Sequence, residues 1–208
     1  MTVGLGSGRA VWAVVEGIGR RGSEEAAAVR AVAASNRTAE LAAEAGITLV
    51  ELDGSLTLDL AIDGADEVDP GLALLKGGGG ALLREKIVIC AARRFVVVAE
   101  GAKRVERLGR GFRLPVEVVP FGWRDTRERV LGLVEDAVLR EDDGVPYVTD
   151  EGHHILDCRL RAEGDPGELA AALKSLVGVV EHGLFVGMAD AALLGNPDGS
   201  VEQAVASA

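Results

Sequence analysis

Through the first hundred residues, short apolar runs alternate with amphipathic stretches. Thr2-Val3-Gly4-Leu5 has the length and character of a strand, Gly6-Ser7-Gly8 turns the chain, and the apolar positions of 11–18 predict a helix. Gly22-Ser23 breaks it, with Ser23 as a candidate N-cap. Residues 29–33 suit a strand, although 24–34 also suits a helix. A helix over 38–45 closes on Gly46 as a C-cap. Residues 48–52 and 58–62 read as strands, and the second enters a cluster of acids. Helix resumes over 81–93, and the unbroken apolar run 95–99 predicts a buried strand.

Near Gly109 the alternation stops. Pro115 and Pro120-Phe121-Gly122 interrupt 112–122, and 124–133 then reads as helix. Residues 147–150 and 154–160 look like a hairpin across Glu151-Gly152. A helix over 166–176, capped by Asp165 or Gly164, precedes a strand-like run over 177–185. Residues 191–194 suit a last strand of the first sheet, and 201–208 are expected to fray. The fold class predicted is α/β, a Rossmann-like, mostly parallel sheet with a smaller α+β domain. The expected boundaries are 1–112 plus 189–208 for the sheet domain and 113–188 for the small one, with an oligomerisation role for the latter.

The chain has 208 residues, 48% of them hydrophobic but only 3% aromatic, so its core is built mainly from Ala, Val and Leu. A net charge of −11 argues against a general nucleic-acid binder, which needs a basic face. It leaves room for a small phosphorylated ligand held by a few local donors. No apolar run approaches the length of a membrane span, and no basic stretch leads into an apolar segment at the start, so neither a membrane partner nor a signal peptide is expected. Cys90 and Cys158 form no close pair. Cys90 reads as a small core residue of an apolar helix, which fits a reducing, cytoplasmic setting.

The chemistry concentrates in two neighbouring stretches. Asp63-Gly64-Ala65-Asp66-Glu67-Val68-Asp69 follows a strand, and Lys76 is followed by Gly77, Gly78, Gly79, Gly80 and then by Glu85 near a helix start. Acids, a cation and bare backbone amides suit proton transfer on an anionic small molecule. In open parallel sheets ligands collect beyond the carboxyl ends of strands, and Ser7, Asp63 and Lys103 each follow such an end. Each residue also has a plainer reading. The acids suit a polar turn, the glycines a flexible loop, Glu85 an ordinary first-turn residue paired to Lys86 or Arg84, and Lys103 a solvated lysine. A divalent-cation loop is a competing use of the acids, but the calcium-loop spacing is not met. Glu67 and Asp69 read as solvated loop acids. His153, His154 and His182 lack zinc spacing and read as structural or surface residues.

Six separated segments, in order, resemble the type A ribose-5-phosphate isomerases. They are Val3-Gly4-Leu5-Gly6-Ser7-Gly8; Ile62-Asp63-Gly64-Ala65-Asp66-Glu67-Val68; Lys76 through Lys86; Leu114-Pro115-Val116-Glu117-Val118-Val119-Pro120-Phe121; Val148-Thr149-Asp150-Glu151-Gly152; and Gly178-Val179-Val180-Glu181-His182-Gly183-Leu184-Phe185. The resemblance covers essentially the whole chain. It implies a Rossmann-like domain with a smaller ferredoxin-like α+β domain. It also implies interconversion of D-ribose 5-phosphate and D-ribulose 5-phosphate in the pentose phosphate pathway without a cofactor, and a homodimer or homotetramer.

Carried over by position, the resemblance makes Glu85 the base that shuttles the proton. The helix dipole at its place favours the charged form, and burial favours the neutral one. Asp63 and Asp66, with Gly64 and Ala65 between them, would bind sugar hydroxyls and assist ring opening. Lys76 would supply positive charge to the developing enediolate, Gly77, Gly78 and Gly79 backbone donors, and Lys103 a further contact. Ser7, Gly8, Arg9 and Ala10 would hold the phosphate at a helix N-terminus. Here the chain departs from the family, which typically has Thr-Gly-Ser-Thr. Arg9 either replaces lost hydrogen bonds with a charged pair or points to solvent. Ala102 stands where a Ser or Thr is usual. A helix usually precedes the first strand, and its absence here is expected to expose the sheet or remove a phosphate-contacting cation; a misassigned start site explains it equally. Those departures motivate one alternative, a non-catalytic sugar-phosphate sensor on the same fold. A third reading is a related isomerase or hydrolase acting on another phosphosugar or an acyl substrate.

Overall fold

The computed structural model describes residues 1–206. In chain order its elements are β1 (Thr2–Leu5), α1 (Arg9–Gly19), α2 (Ser23–Ala27), β2 (Arg30–Ala33), α3 (Asn36–Glu44), β3 (Thr48–Leu49) and β4 (Leu60–Asp63). Then come β5 (Glu67–Val68), β6 (Leu74–Leu75), α4 (Leu82–Cys90), β7 (Phe95–Glu100) and a 3-10 turn over Gly101–Lys103. The next part holds β8 (Leu114–Val118), α5 (Trp123–Leu131), β9 (Asp136–Leu139), β10 (Glu141–Asp142), β11 (Val145–Pro146), β12 (His154–Arg159) and α6 (Pro166–Lys174). Last come β13 (Val179–His182), β14 (Leu184–Phe185), β15 (Ala191–Gly195) and β16 (Val201–Val205).

The chain forms two compact units. The first comprises Met1–Ala65, Arg84–Ala102 and Met188–Ala208; the second comprises Asp66–Leu83 and Lys103–Gly187. This division differs from the expected boundaries, because 66–83 and 103–112 group with the second unit.

The first unit is built on a seven-stranded sheet of order β16-β15-β7-β4-β1-β2-β3, parallel throughout except for the β15–β16 edge pair. Its six parallel strands follow the 3-2-1-4-5-6 order of dinucleotide-binding sheets, with the switch point between β1 and β4. Alternation along β1 sends Val3 and Leu5 to one face, where they pack with Val11 and Val15 of α1 and Ala42 of α3. On the other face Val32, Leu58 and Val88 of α4 form a second cluster. Gly4 permits that packing, since a Cβ there would stand 2.4 Å from Val88 Cγ1. Residues Val201–Val205 are an edge strand and not a frayed tail. Positions 207 and 208, also expected to fray, lie outside the described residues.

The second unit contains the ladder β8-α5-β9-β12-α6-β13. Its antiparallel sheet has order β13-β8-β12-β9, the arrangement of a ferredoxin-like fold. Leu114, Val116 and Val118 of β8 and Leu156 and Cys158 of β12 face Val130 of α5 and Leu173 of α6 in its core. A three-stranded sheet, β14-β6-β5, carries the segment that ends in the glycine run.

Several sequence expectations shift. The hairpin placed across Glu151-Gly152 is only a turn, closed by Thr149 N–H on His153 O; β12 pairs instead with β8 and β9. The tight hairpin is β10–β11, where Asp143 and Gly144 take positive φ values of 50° and 78°, as a two-residue Asp-Gly turn requires. The single strand over 177–185 is divided at Gly183, where a Cβ would lie 2.1 Å from Lys76 O. Ser23 is the first residue of α2, and Gly22 is its N-cap. Cys90, the last residue of α4, is exposed; Cys158 is the buried cysteine, and burial pushes its thiol up to about 12.

Candidate active site

In the first unit, the ends of β1 and β4 meet at the switch point. The Asp63 carboxylate, 1% exposed, accepts the N–H of Ser7 at 3.1 Å and that of Gly64 at 2.7 Å. Gly6 leaves room for it: a Cβ at that position would stand 1.9 Å from Asp63 Cγ. Ser7 Oγ lies 3.0 Å from Ser35 Oγ, which lies 3.0 Å from Thr38 Oγ1. Ser35 also caps α3 by accepting the Thr38 N–H. Sequence reasoning passed over Ser35 and Thr38. Their signal was present: a Ser directly after a strand and before a helix.

Gly8, with φ of 96°, starts α1, whose first turn has neither a side-chain cap nor an acid. Its N–H groups thus suit an anion. Arg9 is exposed and lies 3.7 Å from Glu100, an ion pair of little energetic weight. Ala10 offers no hydrogen-bonding side chain, and its Cβ lies 3.8 Å from where one at Gly64 would be. Ala65 is half-buried. Glu85 is buried to 5% in the first turn of α4. Ile87, two residues on, is exposed.

In the second unit, Asp66 accepts the Gly78 N–H at 2.8 Å. Lys76 is 2% exposed; its N–H donates to Gly183 O, and its ammonium lies 5.3 Å from the Phe185 ring centroid. The glycines are constrained rather than loose. Gly77 and Gly80 have φ of 101° and 83°, and a Cβ at Gly78 would meet Phe112 at 2.8 Å. Gly79 alone in the run has open space around its Cβ position. Lys103 ends the 3-10 turn and is half-buried, and Ala102 before it is exposed.

Glu67 corrects the sequence reading. It is 3% exposed, not solvated, and its carboxylate gathers the N–H groups of Gly109 at 2.5 Å, Gly111 at 2.7 Å and Phe112 at 2.9 Å. It organises a loop from 44 residues away in sequence. Asp69 accepts the Ala73 N–H at 2.8 Å and closes a turn. His153 Nδ1 stands 2.9 Å from the buried carboxylate of Glu117, and His182 is 5% exposed. Among the described residues, no group of three or more His, Cys, Asp or Glu is placed to hold a metal ion, and no helix is long and apolar enough to cross a membrane.

A Rossmann-order sheet with a buried aspartate at its switch point in one unit, and a ferredoxin-like sheet in the other, define the class: a two-unit α/β protein. Residues 30–199 match the family model of ribose 5-phosphate isomerase A (phosphoriboisomerase A). Ribose-5-phosphate isomerase A of Roseiflexus castenholzii is 51% identical over 204 residues, spanning 97% of this chain and 87% of that one. That of a Synechococcus strain is 49% identical over 201 residues, 96% and 87% of the two chains. Among solved structures, the enzyme from Methanocaldococcus jannaschii superposes with a TM-score of 0.91 at 35% identity, covering 99% and 91%. A D-ribose-5-phosphate isomerase in complex with phospho-erythronic acid gives 0.93 at 33%, covering 99% and 90%. The chain belongs to the ribose 5-phosphate isomerase A family.

Proposed function

We propose that this chain is an aldose–ketose isomerase that interconverts D-ribose 5-phosphate and D-ribulose 5-phosphate, a step of the pentose phosphate pathway. The observation that carries the reading is near-full-length membership of the family in a chain that keeps Asp63, Asp66, Lys76 and Glu85.

The reaction moves a proton between C2 and C1 through an enediolate. Glu85 takes the C2 proton of the open-chain aldose and returns it to C1, while the proton of the C2 hydroxyl passes from O2 to O1. Lys76 and the backbone N–H groups of Gly77 and Gly79 stabilise the charge that develops on the sugar oxygens, while Gly78 lines the same loop and spends its own N–H on Asp66. Asp63 and Asp66, flanking Gly64 and Ala65, bind hydroxyls and assist ring opening. Asp63 is supported in this role by two backbone N–H groups that hold its carboxylate at the switch point. Ser7, Gly8, Arg9 and Ala10 receive the phosphate at the start of α1, where the uncapped first turn supports the reading. Lys103 adds a contact to the substrate. Neither a metal nor an organic cofactor takes part.

We further propose a homodimer or homotetramer in the cytoplasm, with 113–188 supplying contacts between copies. Phe121, 94% exposed, and Val177, 82% exposed, support that part of the reading. Light scattering that returns a monomer at working concentration would overturn it. No observation favours the sensor.

The experiment for the activity is formation of ribulose 5-phosphate from ribose 5-phosphate with EDTA present, beside a panel of other pentose and hexose phosphates. Turnover that survives the chelator and prefers ribose 5-phosphate is expected. Binding without turnover would contradict the assignment.

A further inference from the structure

The glycine run is held from behind by a side chain that none of the assigned roles uses. Arg140 follows β9 in the second unit. Its Nε and Nη2 donate to the two carboxylate oxygens of Asp157 on β12, at 2.9 and 2.6 Å. Both side chains are largely buried, at 14% and 22% exposure. The fork geometry of the guanidinium fixes its plane, as a lysine ammonium in that place would not. The remaining nitrogen, Nη1, donates to the carbonyls of Gly77 and Gly78, each at 3.1 Å. Tyr147 packs on the guanidinium, with 5.7 Å to the ring centroid, and its hydroxyl donates to the Gly79 carbonyl at 3.3 Å.

Each carbonyl shares a rigid plane with the next residue's N–H, and the two point in opposite directions. Fixing Gly77 O and Gly78 O therefore aims the N–H groups of Gly78 and Gly79 the other way. The Gly78 N–H goes to Asp66. The Gly79 N–H, on the exposed member of the run, has no acceptor among the described residues.

We propose that Arg140 is a positioning residue for the isomerisation: oriented by Asp157, it sets the peptide planes of Gly77–Gly79 so that the loop presents its N–H to the developing enediolate oxygen. The inference rests on the reading above that these glycines face substrate. A donor aimed in advance acts on the transition state more than on the bound sugar.

The test is steady-state kinetics of Arg140→Ala, with and without added guanidinium chloride at tens of millimolar, alongside melting curves. A fall in kcat of about 10- to 100-fold with KM held within about threefold, partly recovered by guanidinium, is expected. A kcat within twofold of wild type overturns the proposal. So does a loss that guanidinium leaves untouched and that tracks a lowered Tm. Should the alanine variant not fold, Arg140→Lys keeps a cation beside Asp157 and carries the same test: kcat lowered with KM held supports the proposal, and wild-type kcat overturns it. Gly79→Ala separates the two layers of the argument, because its methyl meets no protein atom within 4 Å and reports on the substrate alone. An unimpaired Gly79→Ala overturns the substrate-facing reading of the loop and this inference with it. An impaired Gly79→Ala beside a fully active Arg140→Ala overturns this inference only.

Discussion

Gly6 is a glycine because Asp63 needs its place. The carboxylate lies where a methyl at residue 6 would stand, 1.9–2.3 Å from its atoms, and it holds the Ser7 N–H across the gap between two strand ends. Gly6→Ala must push Asp63 aside. Displacing a group that orients the substrate by about 1 Å costs roughly 100-fold in rate, and overpacking costs about 1–3 kcal/mol of stability. We therefore expect kcat/KM to fall by about that factor with a measurably lower Tm; an unaltered rate would contradict the account. Asp63 was legible in the sequence because an acid just past a buried strand is a local signal. The need for Gly6 was not, since it arises from a contact 57 positions away in sequence. Glu67 failed to read correctly for the same reason: its three N–H partners lie in 109–112, and a run of acids carries no sign of which one turns inward.

Elements whose apolar periodicity is strong, such as α1, α4 and β7, were visible in the sequence. Those set by distant partners were not. The break between β13 and β14 at Gly183 follows from the close approach of Lys76, and β9 became a strand through pairing with β12. On β8, alternation puts Glu117 opposite the apolar face. It is 1% exposed, with Thr149 and His153 on one oxygen, Glu181 as its cross-strand neighbour on β13, and Glu151 nearby. Burial is the main cause that raises its pKa from the usual 4.5; its bonds to His153 and Thr149 oppose the shift. A raised carboxyl means that the folded state holds the proton longer than the unfolded one. Its contribution to stability is thus present below 4.5 and is lost as pH rises through the folded-state value. Glu117→Gln removes that dependence. The stability of wild type minus that of the variant should fall as pH is raised from below 4.5 toward neutrality, measured by urea unfolding at each pH. A difference that stays flat would refute the assignment.

For the whole molecule, the alternation of strands and helices announced the parallel sheet, and the loss of that alternation near Gly109 announced a second fold. The sequence pattern could not show that 66–83 groups with that second unit, because this depends on β6, which carries β5 on its other edge, pairing with β14 more than a hundred residues later. The candidate residues are consequently shared out, with Asp63 and Glu85 in the first unit and Asp66 and Lys76 in the second. Their local settings were not legible either: a buried lysine over Phe185 and a glycine run pinned at its carbonyls are products of packing. The claim on which the rest depends is that Glu85 moves the proton. Glu85→Gln keeps the size and polarity of the side chain and removes the base. Its turnover of ribose 5-phosphate, measured with EDTA present and beside substrate binding by calorimetry, is the direct test. The account predicts a rate lower by a factor of about 1,000 or more with binding retained; turnover close to wild type would contradict it.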